Sequence, residues 1–215
     1  MTAPRRQLAT RQSGWAVALA RALARLGMRP NTVSILGIAF AAASGFAFAM
    51  VPNLDGGARA AVLLAAAAGI QLRLLCNLLD GMLAVEEGLK SKTGDIYNEV
   101  PDRIADILIL LGAGYSVRDL PYGVTLGWAA ALVAVLTAYL RVFAGSLGAT
   151  QLFIGPMAKQ HRMFTLTVAT LTALVETVAG FPARAIRIGL ALIVAGSIVT
   201  AIRRIGRLFT EVNAR

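Results

Sequence analysis

The chain has almost none of the residues from which disulfides and soft-metal centres are built. Its 215 residues include one cysteine, Cys76, and one histidine, His161. A single thiol cannot close an intrachain disulfide or supply a Cys-rich zinc site, and a single imidazole rules out a multi-histidine metal centre. Cys76 reads as a small packing residue and His161 as a surface or interfacial one. Charge is also scarce: 15% of residues are Asp, Glu, Lys or Arg, against about 25% in an ordinary soluble domain. Acids are the scarcer sign, 11 against 21 Lys and Arg, for a net charge of +10.

Apolar surface is abundant. Hydrophobic residues make up 57% of the chain and mean hydropathy is +0.69, where soluble domains hold about 45–50% apolar residues. Long apolar runs separated by short charged pieces describe a helical integral membrane protein. The basic residues sit at the ends of these runs instead of forming one soluble patch. That is the pattern of a membrane surface and not of a nucleic-acid interface.

Residues 1–12 are polar and carry Arg5-Arg6, but Arg21 and Arg25 interrupt the following apolar stretch, which argues against a cleaved signal peptide. From Ser13 to Met28, Trp15, Leu19, Leu23 and Leu26 recur at helical spacing while Arg21 and Arg25 share another face. This predicts an amphipathic helix lying in the interface. Pro30-Asn31-Thr32 opens a helix, and six apolar spans follow, near Ile35–Val51, Arg59–Leu79, Gly94–Tyr115, Val124–Ala144, Met163–Val178 and Ile186–Ile202, with a basic tail holding Arg203, Arg204 and Arg207. Lys90, Lys92, Lys159, Arg162 and both termini fall on one side, so the excess of Lys and Arg puts the termini in the cytoplasm. The expected fold class is all-α and integral to the membrane, with six transmembrane helices and an N-terminal amphipathic interfacial helix. Residues 1–29 form the cytoplasmic tail and juxtamembrane helix, and residues 30–215 the six-helix domain in the inner (cytoplasmic) membrane.

Seven of the acids, Asp80, Glu86, Glu87, Asp95, Glu99, Asp102 and Asp106, crowd one window among Leu, Ala, Val and Ile. Carboxylates this close repel one another, and beside an apolar phase they are costly unless paired or bound to cations. At about 100° per residue, Asn77, Asp80, Gly81 and Ala84 share one arc of a helix. Asp95, Asn98, Glu99, Asp102 and Asp106 share another if their helix begins near Gly94, with Pro101 either kinking that helix or marking its true first turn. A short loop makes the two helices antiparallel neighbours. Hard oxygen ligands from two such stripes suit Mg²⁺ or Mn²⁺ with phosphate oxygens completing the shell. A second basic group, Lys159 and Arg162 with Arg141 upstream, suits a phosphate or an acceptor anion. A plain positively charged flank of the membrane is an equally good reading of it.

At these residues the sequence resembles the CDP-alcohol phosphotransferases. Their motif reads Asp-x-x-Asp-Gly-x-x-Ala-Arg, a short spacer, then Gly-x-x-x-Asp-x-x-x-Asp. Asp80, Gly81, Ala84, Gly94 and Asp102 match it, while Asn77, Asn98 and Val85 stand in place of two Asp and the Arg. Pro30-Asn31-Thr32-Val33-Ser34 resembles the segment that opens the family's first membrane helix. The resemblance implies a six-span enzyme, usually a homodimer, that transfers a phosphatidyl group from CDP-diacylglycerol to a small hydroxyl acceptor and releases CMP. It further implies two divalent ions held at Asn77, Asp80, Asn98 and Asp102, with Asp102 as catalytic base. Gly81, Ala84, Gly94 and Asn31 would line the CDP site, and Lys159, Arg162, Arg141 and Arg103 the phosphate and acceptor pocket. With two motif charges missing, Asp95 or Asp106 is the expected source of supplementary charge, and Arg103 or Arg73 the substitute for the motif arginine. Two other readings remain open: a relative that binds CDP-lipid without turnover, and a transporter or small channel. Against a transporter, the acids lie at one edge instead of the midplane, and no helix is broken mid-span.

Overall fold

The structure, a computed structural model, describes residues 13–85, 88–89, 93–149 and 153–214. Arg5-Arg6, Glu86, Glu87, Lys90 and Lys92 lie outside the described residues. Among those described there are seven α-helices and no strand: α1 Gly14–Arg25, α2 Pro30–Met50, α3 Gly56–Val85, α4 Gly94–Tyr115, α5 Gly123–Ser146, α6 Lys159–Val178 and α7 Ala185–Asn213. Pro30 takes the first position of α2, where its missing N–H costs no hydrogen bond. Gly27, with φ at +74°, closes α1 in the left-handed conformation.

Four stretches, Pro30–Asn53, Gly56–Val85, Gly123–Ser146 and Ala185–Asn213, are long and apolar enough to cross a bilayer. Helices α4 and α6 are not among them. The acids of α4 and the basic residues opening α6, which the next section places in the site, lower their hydropathy. Helix α4 does begin at Gly94, and Pro101 lies inside it. Helix α3 runs past Leu79 to Val85, so Asp80, Gly81 and Ala84 are helical. The predicted C-terminal tail is corrected: α7 continues to Asn213, and Arg204 lies buried within the bundle.

Helices α2, α3, α6, α7, α5 and α4 pack in that order into a closed ring, α4 returning to α2. Helix α1 lies outside the ring on α3. Its packing face is Ala16 and Ala20, set against Val33, Cys76, Leu79, Met82 and Leu83. Trp15 and Leu26, of the apolar positions read from the sequence, lie off this packing face and are exposed. Cys76 is the packing residue the sequence implied. At the far end, Glu176 Oε2 accepts the N–H groups of Arg184 and Ala185, joining α6 to the start of α7.

The ring closes on backbone contacts. A side chain at Gly45 would strike the Leu108 carbonyl oxygen at 2.5 Å, and one at Gly112 would strike the backbone of Gly45. Gly114 and Gly127 hold α4 against α5 in the same way. Without water to drive apolar surfaces together, membrane helices associate through such close packing of small residues. Gly112→Leu has only backbone to displace, so it is expected to cost about 3 kcal/mol or more, read as a lowered melting temperature of the purified protein in detergent.

Candidate active site

Three helices meet at the end of the ring where α3 finishes and α4 and α6 begin. Helix α3 contributes Arg73, Asn77 and Asp80 at spacings of four and three, which put them on one face. Helix α4 contributes Asp102 and Asp106, four apart, and α6 contributes Lys159 and Arg162, three apart in its first turn.

The contacts are close and charged. Arg73 Nη2 donates to Asp102 Oδ1 at 2.9 Å and reaches Asp106 Oδ1 at 3.4 Å. Lys159 Nζ lies 2.5 Å from Asp102 Oδ2 and donates to Asn77 Oδ1 at 2.8 Å. The other end of the Asn77 amide donates to Asp102 Oδ1 at 3.2 Å. Arg162 Nη2 donates to Asp106 Oδ2 at 3.0 Å, and its Nη1 reaches Thr137 Oγ1 and the Met157 carbonyl, both at 3.2 Å. Arg73 and Arg162 are each 2% exposed and Asp106 1%. Such charges persist away from water only because each carboxylate oxygen of Asp106 faces a guanidinium.

Asp80 is held differently. Ser34 Oγ of α2 donates to its Oδ2 at 2.7 Å, while its Oδ1 is buried without a hydrogen-bond partner. A cavity of about 10 Å³, bordered by Ser34, Asn77, Asp80 and Asp102, lies here; that is room for roughly one water-sized particle. An unpartnered buried carboxylate oxygen beside further carboxylate and amide oxygens is the donor chemistry of an oxygen-seeking divalent cation, and the residues fit Mg²⁺ or Mn²⁺ in kind. They form a lean site: among the described residues no group of three or more His, Cys, Asp or Glu side chains converges to hold a metal.

The sequence-predicted residues divide into those the fold brings together and those it does not. Asn77, Asp80, Asp102, Asp106, Lys159 and Arg162 converge. Asn98 and Asp95 do not: both are exposed on the first turns of α4, nearer the helix end than Asp102. The polar stripe that faces α3 therefore runs from Asp102 to Asp106, one turn deeper than the expected pair Asn98 and Asp102. Asp106 does join the cluster, but its carboxylate is committed to two arginines. Lys159 and Arg162 point inward onto acids. Arg103 lies 3.5 Å from Glu99 and 3.7 Å from Asp102, while Arg141 pairs with Glu99 and lies over the Phe153 ring at 5.7 Å. Gly81, Ala84 and Gly94 are half-buried at the helix ends. Asn31 borders a separate hollow of about 220 Å³ with Arg29, Pro30 and Leu89. Val85 is exposed, and Arg73, three turns earlier, is the arginine that reaches the acids.

Sequence reasoning missed Ser34, Thr137 and Arg204. Arg204 donates to the Ile154 carbonyl at 3.1 Å and to the Thr137 carbonyl, so it fastens α7 and the chain before α6 to α5. Ser34, the last residue of the opening Pro30–Ser34 segment, could have been found as the polar residue one turn into α2. Thr137 and Arg204 carried no signal beyond being polar within or beside an apolar run.

The fold and the charge pattern define a class: a helical membrane protein with a cluster of buried, mutually paired acids and bases at one end of its bundle. No family model matches the chain. A curated relative, archaetidylinositol phosphate synthase from Pyrococcus horikoshii, is 27% identical over 190 residues, covering 87% of each chain. Among solved structures, Mycobacterium tuberculosis phosphatidylinositol phosphate synthase with CDP-DAG bound superposes with a TM-score of 0.78 at 23% identity, over 92% of this chain and 95% of that one. The same enzyme with manganese and citrate gives a TM-score of 0.77 at 22% identity, over 91% and 89%. Likeness to these structures is a likeness of fold. The curated relative is similar to the chain along most of its length as well.

Asp106 is the point on which three helices converge. Asp106→Ala leaves Arg73 and Arg162 as buried cations without this partner and is expected to cost about 3–5 kcal/mol. The check is a lowered melting temperature in detergent, compared with Asp95→Ala, whose exposed side chain is expected to change it little.

Proposed function

We propose that the chain is a CDP-alcohol phosphatidyltransferase: it moves the phosphatidyl group of CDP-diacylglycerol to a small hydroxyl acceptor and releases CMP. The observation that carries this reading is the convergence of Asp80 and Asp102 on one small cavity, with the Asp80 Oδ1 left unpartnered. The motif that supplies these residues, and a relative that matches along most of the chain, support it. That relative's name and the Mycobacterium tuberculosis enzyme's, an archaetidylinositol phosphate and a phosphatidylinositol phosphate synthase, favour a phosphorylated polyol as acceptor. A transporter is the weaker reading, because the charged residues are paired with one another at one end of the bundle instead of lining a path through it.

Asp80, through its unpartnered Oδ1, would hold the divalent cation, Mg²⁺ or Mn²⁺, in the cavity that Asn77 and Asp102 also border. When bound, it would neutralise phosphate charge and stabilise the departing CMP oxygen. The acceptor oxygen attacks the phosphatidyl phosphorus, the bond from that phosphorus to the CMP oxygen breaks, and the acceptor proton passes to a carboxylate. Asp102 is that base: its side chain is 14% exposed while that of Asp106 is 2% exposed, so only Asp102 can meet a hydroxyl arriving from the surface. Asp106 positions Arg73 and Arg162. Arg103 and Arg141 at the half-exposed rim meet the acceptor anion. Gly81, Ala84 and Gly94, which present little side chain, admit the cytidine beside Asn31.

Helices α2 to α7 are the six spans, α4 and α6 being the least apolar because they carry the site. The excess of Lys and Arg at the site end supports a cytoplasmic position for it and for both termini, and the family resemblance supports a homodimer. Incubation of the purified protein with labelled CDP-diacylglycerol, Mn²⁺ and a panel of polyol phosphates is expected to release CMP. Asp102→Asn is expected to lower that rate by about a hundredfold or more; CMP release unchanged by this substitution would overturn the assignment. For topology, a cysteine placed at Asp119 is expected to react with an impermeant maleimide in intact cells, and one at Gly148 only after permeabilisation.

A further inference from the structure

We infer that this chain holds one divalent cation, at Asp80, and that the Lys159 ammonium occupies the position and supplies the charge of a second. The inference rests on the phosphatidyl-transfer reading for the role of that charge, but its geometry stands by itself.

The acid oxygens at the site are almost all taken. Asp102 Oδ1 accepts from Arg73 and Asn77, and its Oδ2 lies 2.5 Å from Lys159. Both oxygens of Asp106 face guanidinium groups. Asn77 Oδ1 accepts from Lys159, and Asp80 Oδ2 from Ser34. That leaves Asp80 Oδ1, buried and unpartnered, beside a cavity of about 10 Å³, room for roughly one water-sized particle. A second ion would have to displace Lys159 from between Asn77 and Asp102, and Asn77 carries no charge with which to attract it.

Charge balance gives the same count. Around the cavity Asp80, Asp102 and Asp106 stand against Arg73, Lys159 and Arg162, a neutral set; the buried Arg204 stands outside it, on the Ile154 and Thr137 carbonyls. At the rim Arg103 and Arg141 share Glu99, where solvent screens them. One divalent ion gives the buried set two positive charges, the complement of the two negative charges of a pyrophosphate diester. A second divalent ion would leave two uncompensated charges beside an apolar phase, which is unfavourable. An ammonium contributes its charge without needing a carboxylate cage of its own. Asn77 and Lys159 thus form one substitution in physical terms: the amide removes a ligand charge and the lysine fills the space.

The test is a count of bound Mn²⁺ on the detergent-purified chain, read from the electron paramagnetic resonance signal of free Mn²⁺ during titration. One ion per chain is expected, with at least tenfold weaker binding in Asp80→Asn. Asn77→Asp alone is expected to keep one ion, because the new carboxylate pairs with Lys159. Asn77→Asp combined with Lys159→Met is expected to bind two. Two ions in the unmodified chain, none, or one in a folded double variant would overturn the inference. The unmodified chain and Asp80→Asn decide the count if the double variant shows no melting transition. Two ions with CMP release would sink the single-cation inference and leave the transfer reading standing. One ion without CMP release would uphold the count and sink that reading.

Discussion

Buried charge in an apolar bundle must be matched group by group, and the Arg73–Asp106–Arg162 clasp is where this chain does it. The two guanidinium groups approach the two oxygens of one carboxylate from α3 and α6, and Asp106 itself comes from α4. Three helices are thereby tied together at a depth where water cannot substitute for a missing partner. The same arginine that clasps Asp106 also holds Asp102, one turn nearer the surface. The depth of the clasp thus sets the position of Asp102, and any movement of α4 relative to α3 changes both.

The site is also expensive for the helices that carry it. Helix α4 bears four acids and an arginine, and α6 opens on a lysine, a histidine and an arginine. Neither is as apolar as the four stretches best suited to cross a bilayer. The ring of six compensates by holding α4 between α2 and α5. There, Gly45 against Gly112 and Gly114 against Gly127 bring backbones into contact. Close packing on the side away from the charges keeps a poorly apolar helix in place, so the glycines and the acids of α4 are parts of one arrangement.

Much of this was legible in the chain itself. Apolar runs gave the helical membrane class, and the segments at Pro30 and near Gly94 gave two helix starts. The acid window gave Asp80 and Asp102. What misled was the register of α4: a motif read by spacing from Gly94 selects Asn98 and Asp102, whereas the helix turns Asp102 and Asp106 toward α3 and leaves Asn98 exposed. Spacing along one helix says which residues share a face. It does not say at which height that face meets its neighbour. The basic residues misled for a related reason, because Lys159 and Arg162 read alike as outward anchors of a helix start and as inward partners of acids.

The sequence alone determined the class of the fold and the donor chemistry available at the site; the antiparallel pairing of α3 with α4 that it suggested is not formed, because α2 stands between them in the ring. Class and chemistry follow from local hydropathy, helical periodicity and residue type, which one stretch of chain contains in full. Only the tertiary structure decided that Lys159 reaches Asn77 across 82 positions, that Ser34 supports Asp80 and that Arg204 is a buried fastening instead of a tail charge. Each depends on how far one helix slides along another. Contacts summed over the whole bundle set that distance, and no single stretch of sequence carries the sum.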